Sequence, residues 1–244
     1  MRQSLFILAF LFIGINANAD QQDIYSFFDE ADALFGKYTS NGYVDYTALK
    51  ANPAPLNSLV SQIADMDLSS AGPKTLQSFY INAYNITTIK AVVDNYPIDS
   101  PMDVSGFFDT KKHKVAGEML TLNDIENKKL RANYDDPRFH FVLVCAAQGC
   151  PKIFSKSYIP AKLDAHLGTR TTEALNDANF IRVDKVKRRV LISEIFKWYK
   201  VDFDKTGLTE IQYINQFRSN KIPESYNVGY YTYDWTLNDK KKVR

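Results

Sequence analysis

One stretch, residues 138–151, constrains the fold of this chain more than any other. It reads R-F-H-F-V-L-V-C-A-A-Q-G-C-P and contains His140 and both cysteines of the chain, Cys145 and Cys150. Residues 139–145 are rich in aromatic and β-branched types and are bounded by proline and glycine, a pattern typical of a strand. Both faces of that strand would be mostly apolar, which predicts a buried strand rather than an edge strand.

The predicted strand also limits the chemistry of the stretch. His140 and Cys145 would point to opposite faces and lie about 16 Å apart along it. If Cys145 were a nucleophile, its base would therefore come from elsewhere or the strand would bulge. Cys150 follows in the loop, where reactive groups commonly occur.

The N-terminus predicts export. Arg2 precedes an apolar run over residues 5–15, and Ala17-Asn18-Ala19 has the small-x-small pattern of a cleavage site. The apolar run is short for a membrane span, and no cysteine follows it to carry a lipid. We expect a signal peptide over residues 1–19 and a soluble periplasmic or secreted domain over residues 20–244, with no integral membrane association.

The composition and net charge of the chain limit the kinds of partner that we expect it to bind. The formal net charge is +2 and becomes +1 once Arg2 is removed, so nothing indicates a nucleic-acid partner. The chain holds 15 Tyr, 16 Phe and 2 Trp, enough for a substantial core without dependence on disulfides. The sequence indicates no cofactor.

A helix over residues 73–95 is predicted to be buried on all sides, because apolar residues cover nearly its whole circumference from residue 79 to 93. Asn82 and Asn85 lie three residues apart on one face of it. Buried amides need hydrogen-bond partners. Either they bind the backbone of neighbouring loops and fix the fold, or they line a pocket.

The remaining pattern predicts an α+β fold: a small, mostly antiparallel sheet packed on this buried central helix, with additional N-terminal helices. Hairpins are expected over residues 113–122 and 180–193, a helix over 207–217 and a closing strand over 230–235. No linker divides the chain, so we expect a single globular domain.

Five motifs together resemble the uncharacterised family known as domain of unknown function 547, found in bacteria and plants. They are F-Y-I-N-A-Y-N (79–85), L-N-D-I-E (122–126) with L-R (130–131), F-H-F-V-L-V-C-A-A-Q-G-C-P (139–151), S-E-I-F-K-W-Y-K-V-D-F (193–203) and Y-D-W-T-L-N (233–238). The resemblance covers about residues 73–203 plus the tail motif. It implies a fold and candidate positions, because the family has no established activity. Tyr80 stands where the family commonly has Trp.

A looser likeness extends to papain-like and transglutaminase-like folds, which also pack a buried helix on antiparallel strands. Those enzymes place the nucleophilic cysteine at the start of the central helix, where this chain has Pro73-Lys74-Thr75. The likeness therefore implies either that the nucleophile has moved to Cys145 or Cys150 or that the protein is a non-catalytic relative.

The two cysteines allow several kinds of site. An oxidising compartment favours a structural disulfide between Cys145 and Cys150. Alternatively, Cys150 or Cys145 is a nucleophile that uses His140 as its base, oriented by Glu126 or Asn82. A third alternative is a redox switch. No usual zinc spacing is present, so no metal site is predicted.

Two functions follow from these alternatives. The first is a thiol-dependent hydrolase or acyltransferase acting on an amide or peptide, with Cys150, Cys145, His140 and Glu126 as the catalytic candidates. Asn82, Asn85 and Arg131 would then belong to its pocket. The second is a non-catalytic envelope domain that binds a peptide, glycan or protein in a cleft near the same loop.

Overall fold

A computed structural model describes the backbone of residues 16–242 and the side chains of residues 23–242. The apolar run of the predicted signal peptide, residues 5–15, lies outside the described residues. The predicted cleavage position after Ala19 falls near the start of the first helix.

The helices are α1 (Asn16–Tyr38), α2 (Tyr46–Ala51), α3 (Ala54–Asp65), α4 (Pro73–Asn95), α5 (Leu122–Asp124), α6 (Leu163–Asn176), α7 (Ile195–Trp198), α8 (Lys200–Asp204) and α9 (Glu210–Phe217). The strands are β1 (Thr39–Ser40), β2 (Tyr43–Val44), β3 (His113–Val115), β4 (Glu118–Leu120), β5 (Ile181–Asp184), β6 (Arg189–Ser193) and β7 (Asn227–Tyr231). A π-helical segment, Ile125–Arg131, continues α5, and short 3-10 helices lie at Pro101–Asp103, Pro137–Phe141, Pro160–Lys162 and Lys240–Lys242.

Helix α4 is the centre of the core, as its apolar circumference predicts. Pro73 opens it, where the missing N–H costs no helical hydrogen bond, and it ends at Asn95 before an X-Pro bond. From Ser78 to Val93 every residue but Lys90 is buried. It packs against α1, α2, α3 and the π-helical segment. Each large apolar side chain buried in this way contributes about 1.5–3 kcal/mol.

The strands form three small sheets in the described part of the chain, so the predicted α+β class is confirmed. The pairs β1–β2, β3–β4 and β5–β6 are antiparallel, whereas β7 adds to β6 in parallel. In the hairpin β3–β4, Ala116 and Gly117 have φ of 47° and 80° and make the turn, as the sequence predicts.

The predicted strand over residues 139–145 is wrong. Pro137–Phe141 forms a 3-10 helix that begins where Asp136 accepts the backbone N–H of Arg138, and an irregular buried segment follows. The Asn85 side chain donates a hydrogen bond to the carbonyl of Val142 and accepts one from the N–H of Val144. In a sheet, a neighbouring strand would form hydrogen bonds with these backbone groups. The 16 Å spacing expected for an extended chain therefore does not apply.

Two further boundaries differ from the prediction. The helix expected from residue 207 begins at Glu210, because Thr209 caps it by accepting the N–H of Gln212. The closing strand expected over residues 230–235 is β7, which ends at Tyr231 because its partner β6 ends at Ser193.

After β7 the C-terminal tail crosses to β2 and α2 near the N-terminus and forms hydrogen bonds with them. The backbone N–H of Val44 donates to the carbonyl of Asn238 at 2.9 Å, and the Tyr46 hydroxyl donates to the Asn238 side chain at 2.8 Å. The N–H of Asn238 in turn donates to the carbonyl of Ala146 at 2.9 Å. These residues, which we call the C-terminal clasp, join the two ends of the described chain to the loop between the cysteines.

Candidate functional site

Cys145 and Cys150 are joined in a disulfide, with their Cα atoms 6.4 Å apart. The bridge closes a loop of four residues, Ala146–Gly149, which we call the disulfide loop. The chain has no other cysteine, so no free thiol is present in this state. Of the alternatives predicted for the two cysteines, the structure contains the disulfide.

One tyrosine contacts both sulfur atoms. The Tyr233 hydroxyl lies 3.0 Å from the Sγ of Cys150 and 3.0 Å from the Sγ of Cys145. The backbone N–H of Cys145 also donates to the Sγ of Cys150 at 3.0 Å. Burial raises the pKa of Tyr233 well above its ordinary value, and nearby tyrosines and carboxylates, Tyr199 first, raise it further. Tyr233 therefore stays protonated and donates a hydrogen bond to sulfur.

Gly149 lets the disulfide loop lie directly on the tail that carries Tyr233. Its N–H donates to the carbonyl of Asp234 at 2.8 Å. A Cβ at this position would lie 3.0 Å from the backbone N and O of Asp234 and 3.0 Å from the Tyr233 ring. A side chain here would push the loop away from the tail.

A second group of polar side chains surrounds His140, which is buried. Its Nε2 lies 2.8 Å from the Oδ2 of Asp202, and the Nε of Arg131 donates to that same oxygen at 2.6 Å. Its Nδ1 lies 3.9 Å from the Oε1 of Glu126, longer than a hydrogen bond. The imidazole stacks on the Tyr199 ring with centroids 3.8 Å apart. We call these five residues the histidine cluster.

The π-helical segment supplies two members of the histidine cluster. Glu126 and Arg131 are five residues apart, the spacing that i→i+5 hydrogen bonding brings onto one face. Thr121 fixes the start of the preceding turn by accepting the N–H of Asp124 at 3.0 Å. The irregular helix thus has a role in positioning the pair.

The electrostatics of the histidine cluster favour one set of charges. Burial acts to raise the pKa of Asp202, but hydrogen bonds from His140 and Arg131 and their charges outweigh it and hold the pKa well below its usual value. Burial, followed by the charge of Glu126 and a hydrogen bond to it, raises the pKa of Tyr199. Asp202 is therefore ionised and Tyr199 protonated across the physiological range.

The structure brings Glu126, Arg131 and His140 together but does not place His140 on a cysteine. Among the described residues, the polar partners of the imidazole are Asp202 and Glu126, and those of the sulfurs are Tyr233 and the Cys145 N–H. The Cys–His contact that the nucleophile alternative requires is therefore not among these contacts.

The two asparagines of α4 each hold a buried loop by its backbone. Asn82 donates to the carbonyl of Tyr158 at 2.8 Å and accepts its N–H at 3.0 Å. Asn85 holds Val142 and Val144 in the same way, with both contacts at 2.9 Å. These are the bonds required by the first of the two predicted alternatives, in which the amides fix the fold.

Three residues of these two sites were not predicted as candidates from the sequence: Tyr199 and Asp202 of the histidine cluster, and Tyr233 beside the disulfide. All three lie within the motifs S-E-I-F-K-W-Y-K-V-D-F and Y-D-W-T-L-N on which the family resemblance rests. The residue types alone gave no reason to choose them from among 15 tyrosines and 28 acidic residues. The motifs were the available clue.

A cleft of about 680 Å³ opens beside the disulfide loop. Its walls are the β1–β2 turn, residues 147–152, the C-terminal end of α6, the start of β5 and the tail after β7. Five side-chain amides line it: Asn41, Gln148, Asn176, Asn179 and Asn238. Three aromatic side chains accompany them: Tyr43, Phe180 and Tyr231.

Most charges of the cleft are neutralised within its walls. Lys152 pairs with Asp177 at 2.9 Å, and Arg170 pairs with Glu173. Arg182 lies over the Tyr231 ring, 3.8 Å from its centroid. Asn176 and Asn238 already bond within the fold through both side-chain amide atoms. The cleft therefore presents the amides of Asn41, Gln148 and Asn179 more than net charge.

Among the described residues, no group of three His, Cys, Asp or Glu side chains is placed to hold a metal ion. No helix there is both long enough and apolar enough to cross a membrane.

Taken together, these features define an α+β domain with a bridged loop beside a polar cleft and a buried histidine cluster. Residues 68–174 match the model of the family described as "Protein of unknown function, DUF547". The resemblance indicated by the motifs is therefore confirmed over these residues. No curated protein matches the chain, and no solved structure does. The looser likeness to papain-like folds stays a prediction.

Proposed function

We propose that this protein is an exported, non-catalytic domain that binds a glycan in the cleft beside the disulfide loop. The observation that carries the proposal is the cleft itself, because amide and aromatic side chains line its walls while both cysteines are engaged in a disulfide. In this state the chain presents a shaped polar surface and no nucleophilic thiol.

The chemistry of the walls favours a polar, uncharged ligand. Lys152 and Arg170 are already paired with carboxylates, so a strongly charged ligand would have to compete with ion pairs. Side-chain amides both donate and accept hydrogen bonds, as sugar hydroxyls require. The C–H faces of sugar rings pack on aromatic rings, and Tyr43 supplies one.

A glycan is favoured over a peptide because the exposed backbone that could pair with a peptide strand is scarce in this cleft. Of β7 only the last residue, Tyr231, lines the cleft, and one edge of that strand is paired with β6. The N–H groups of Gln148 and Gly149 donate to carbonyls of the tail, at 2.8 Å in each case. Side chains rather than backbone therefore dominate recognition.

The export part of the proposal rests on the predicted signal peptide. Its test is the mass of the protein after expression with its own N-terminus in a bacterium with a periplasm. A mature chain beginning at Asp20 in the periplasmic fraction is expected. An unprocessed chain in the cytoplasm would contradict export.

The thiol-dependent hydrolase remains the second candidate, and the His140–Asp202 pair is what favours it, since that pair could orient a base. It would require the disulfide to open and the imidazole to reach a sulfur. Cys150→Ser distinguishes the candidates: loss of turnover on an amide substrate with an intact fold supports the hydrolase, whereas retained glycan binding supports the binding domain.

Isothermal titration calorimetry tests the glycan proposal, with tetramers of glucose and of N-acetylglucosamine and tetra-alanine as probes. We expect heat of binding with at least one sugar tetramer. Gln148→Ala and Tyr43→Ala should each weaken it about tenfold, the effect of about 1.4 kcal/mol from one lost contact. Asn57→Ala, an exposed amide outside the cleft, is the matched control and should leave the Kd unchanged.

The other outcomes overturn the proposal in different ways. Heat with tetra-alanine alone would make the ligand a peptide. Sugar binding that neither cleft variant weakens would place the site elsewhere. The absence of any heat of binding with all three probes would contradict a glycan-binding function.

A further inference from the structure

We propose that the Cys145–Cys150 disulfide is a site of thiol–disulfide exchange with a dithiol partner, in which Cys150 leaves as the thiolate. The feature behind the proposal is the setting of the Cys150 sulfur. It accepts two hydrogen bonds, from the Cys145 N–H and the Tyr233 hydroxyl, each at 3.0 Å. The inference goes beyond ligand binding and does not depend on what the cleft holds.

The two donors stabilise the reduced form more than the oxidised one. A disulfide sulfur is a weak acceptor, whereas a thiolate carries a full negative charge, and hydrogen bonds to charged groups are the stronger ones. Both donors are in place before the bond opens, so the thiolate is stabilised as it forms. A leaving thiol of lower pKa departs faster.

Tyr233 is held rigidly for this role. Its ring packs against Trp198 and Trp235, with centroids 4.9 and 4.7 Å away. Its own backbone N–H donates to the Glu194 carboxylate at 3.0 Å. Because burial raises the pKa of its hydroxyl, the O–H remains a donor at the pH where thiolates exchange.

The bridge is also accessible. Cys145 is partly exposed, whereas Cys150 is 9% exposed and lines the cleft beside the disulfide loop. Cys145, the more exposed residue, is therefore assigned as the one attacked, and Cys150, whose sulfur accepts the two hydrogen bonds, as the leaving group.

A thiolate of the dithiol partner attacks the Sγ of Cys145, a new S–S bond forms, and the electron pair of the old bond leaves on the Sγ of Cys150. The partner's second thiolate then attacks the partner's own sulfur in the mixed disulfide and releases Cys145. Two electrons and two protons pass from the dithiol to the protein, and the partner leaves as its disulfide.

The test is a redox titration in buffers of reduced and oxidised dithiothreitol, with reduced thiols alkylated and counted by intact mass. Tyr233→Phe removes one donor to sulfur and keeps the ring. We expect the equilibrium to shift towards the disulfide about tenfold, and the rate of reduction to fall, as one hydrogen bond to a charged group predicts. Tyr230→Phe, whose hydroxyl contacts Glu210, is the control and should titrate like the wild type.

Equal equilibria and rates for the wild type and Tyr233→Phe would overturn the proposal, as would a native disulfide that excess dithiothreitol does not reduce. A second variant covers the case in which Tyr233→Phe does not fold. In Cys145→Ser, which keeps the backbone N–H, the thiolate absorbance of Cys150 at 240 nm should rise with a midpoint below the ordinary value of about 8.5. A midpoint at or above that value would also reject the exchange role.

Discussion

Replacing Asp202 with asparagine tests the histidine cluster most directly. Its carboxylate takes hydrogen bonds from His140 and Arg131 through one oxygen, and its side chain is only 14% exposed. Hydrogen bonds to a charged group contribute about 1.5–3 kcal/mol each. Asparagine keeps a neutral acceptor oxygen, so part of each bond survives, but the charge that balances Arg131 is lost. We expect Asp202→Asn to lower the free energy of unfolding by about 3 kcal/mol at pH 7, the low end for breaking a buried ion pair.

The assay is equilibrium urea unfolding, with Asp204→Asn as the control. Asp204→Asn is the same chemical change two residues further along α8, but the Asp204 side chain is 55% exposed and its ion-pair partner among the described residues is Lys200. Exposed pairs of that spacing contribute about 0.3–0.5 kcal/mol. If the two substitutions cost the same, the cluster does not stabilise the fold in the way its contacts indicate.

The pH dependence supplies a second check on Asp202. Because its folded-state pKa is depressed, its stabilising contribution is complete above the unfolded-state pKa of about 3.9 and is lost as the pH falls through the folded-state value. The difference in stability between wild type and Asp202→Asn should therefore be constant near neutral pH and shrink below about pH 4. A difference that grows on acidification would refute the assignment of Asp202 as the ionised partner.

Two other substitutions probe the buried loops. In urea unfolding, Asn85→Ala should lower the free energy of unfolding by about 2–4 kcal/mol, because two buried backbone groups lose their partner. The control Asn95→Ala, in the last turn of the same helix, should lower it by about 1 kcal/mol or less. Equal losses would mean that water or a rearranged loop replaces the Asn85 amide. Gly149→Ala should lower the melting temperature, because the new Cβ would lie 3.0 Å from the tail backbone. The control Gly168→Ala, which has open space around it in α6, should raise stability by up to about 1 kcal/mol. An unchanged melting temperature for Gly149→Ala would show that the loop moves freely on the tail.

Much of the helical architecture could be predicted from periodicity. Apolar spacing placed α4 in the core, because a helix apolar on all sides has no other stable location. The hairpin predicted over residues 113–122 is found as β3–β4. These predictions depend on local chemistry, which the chain carries in consecutive residues.

The predictions that were wrong or incomplete depend on distant residues. A short apolar run cannot be distinguished as strand or buried loop by periodicity alone, and the deciding contact over residues 139–145 comes from Asn85, more than fifty residues earlier. The partner of His140 is Asp202, 62 residues later. Nothing in the local sequence of either residue indicates that contact.

The C-terminal clasp has a consequence for how the molecule acquires its structure. Asn238 bonds with Tyr46, 192 residues away in the chain, so this contact is among the most non-local in the fold. Closing so long a loop is entropically costly, and contacts of this kind form late and slow folding. Until residues 233–238 have crossed to Tyr46, the disulfide loop lacks the contact between Asn238 and Ala146 that secures it, even where α1 to α9 have formed. The cysteines are therefore expected to reach their final setting late in folding.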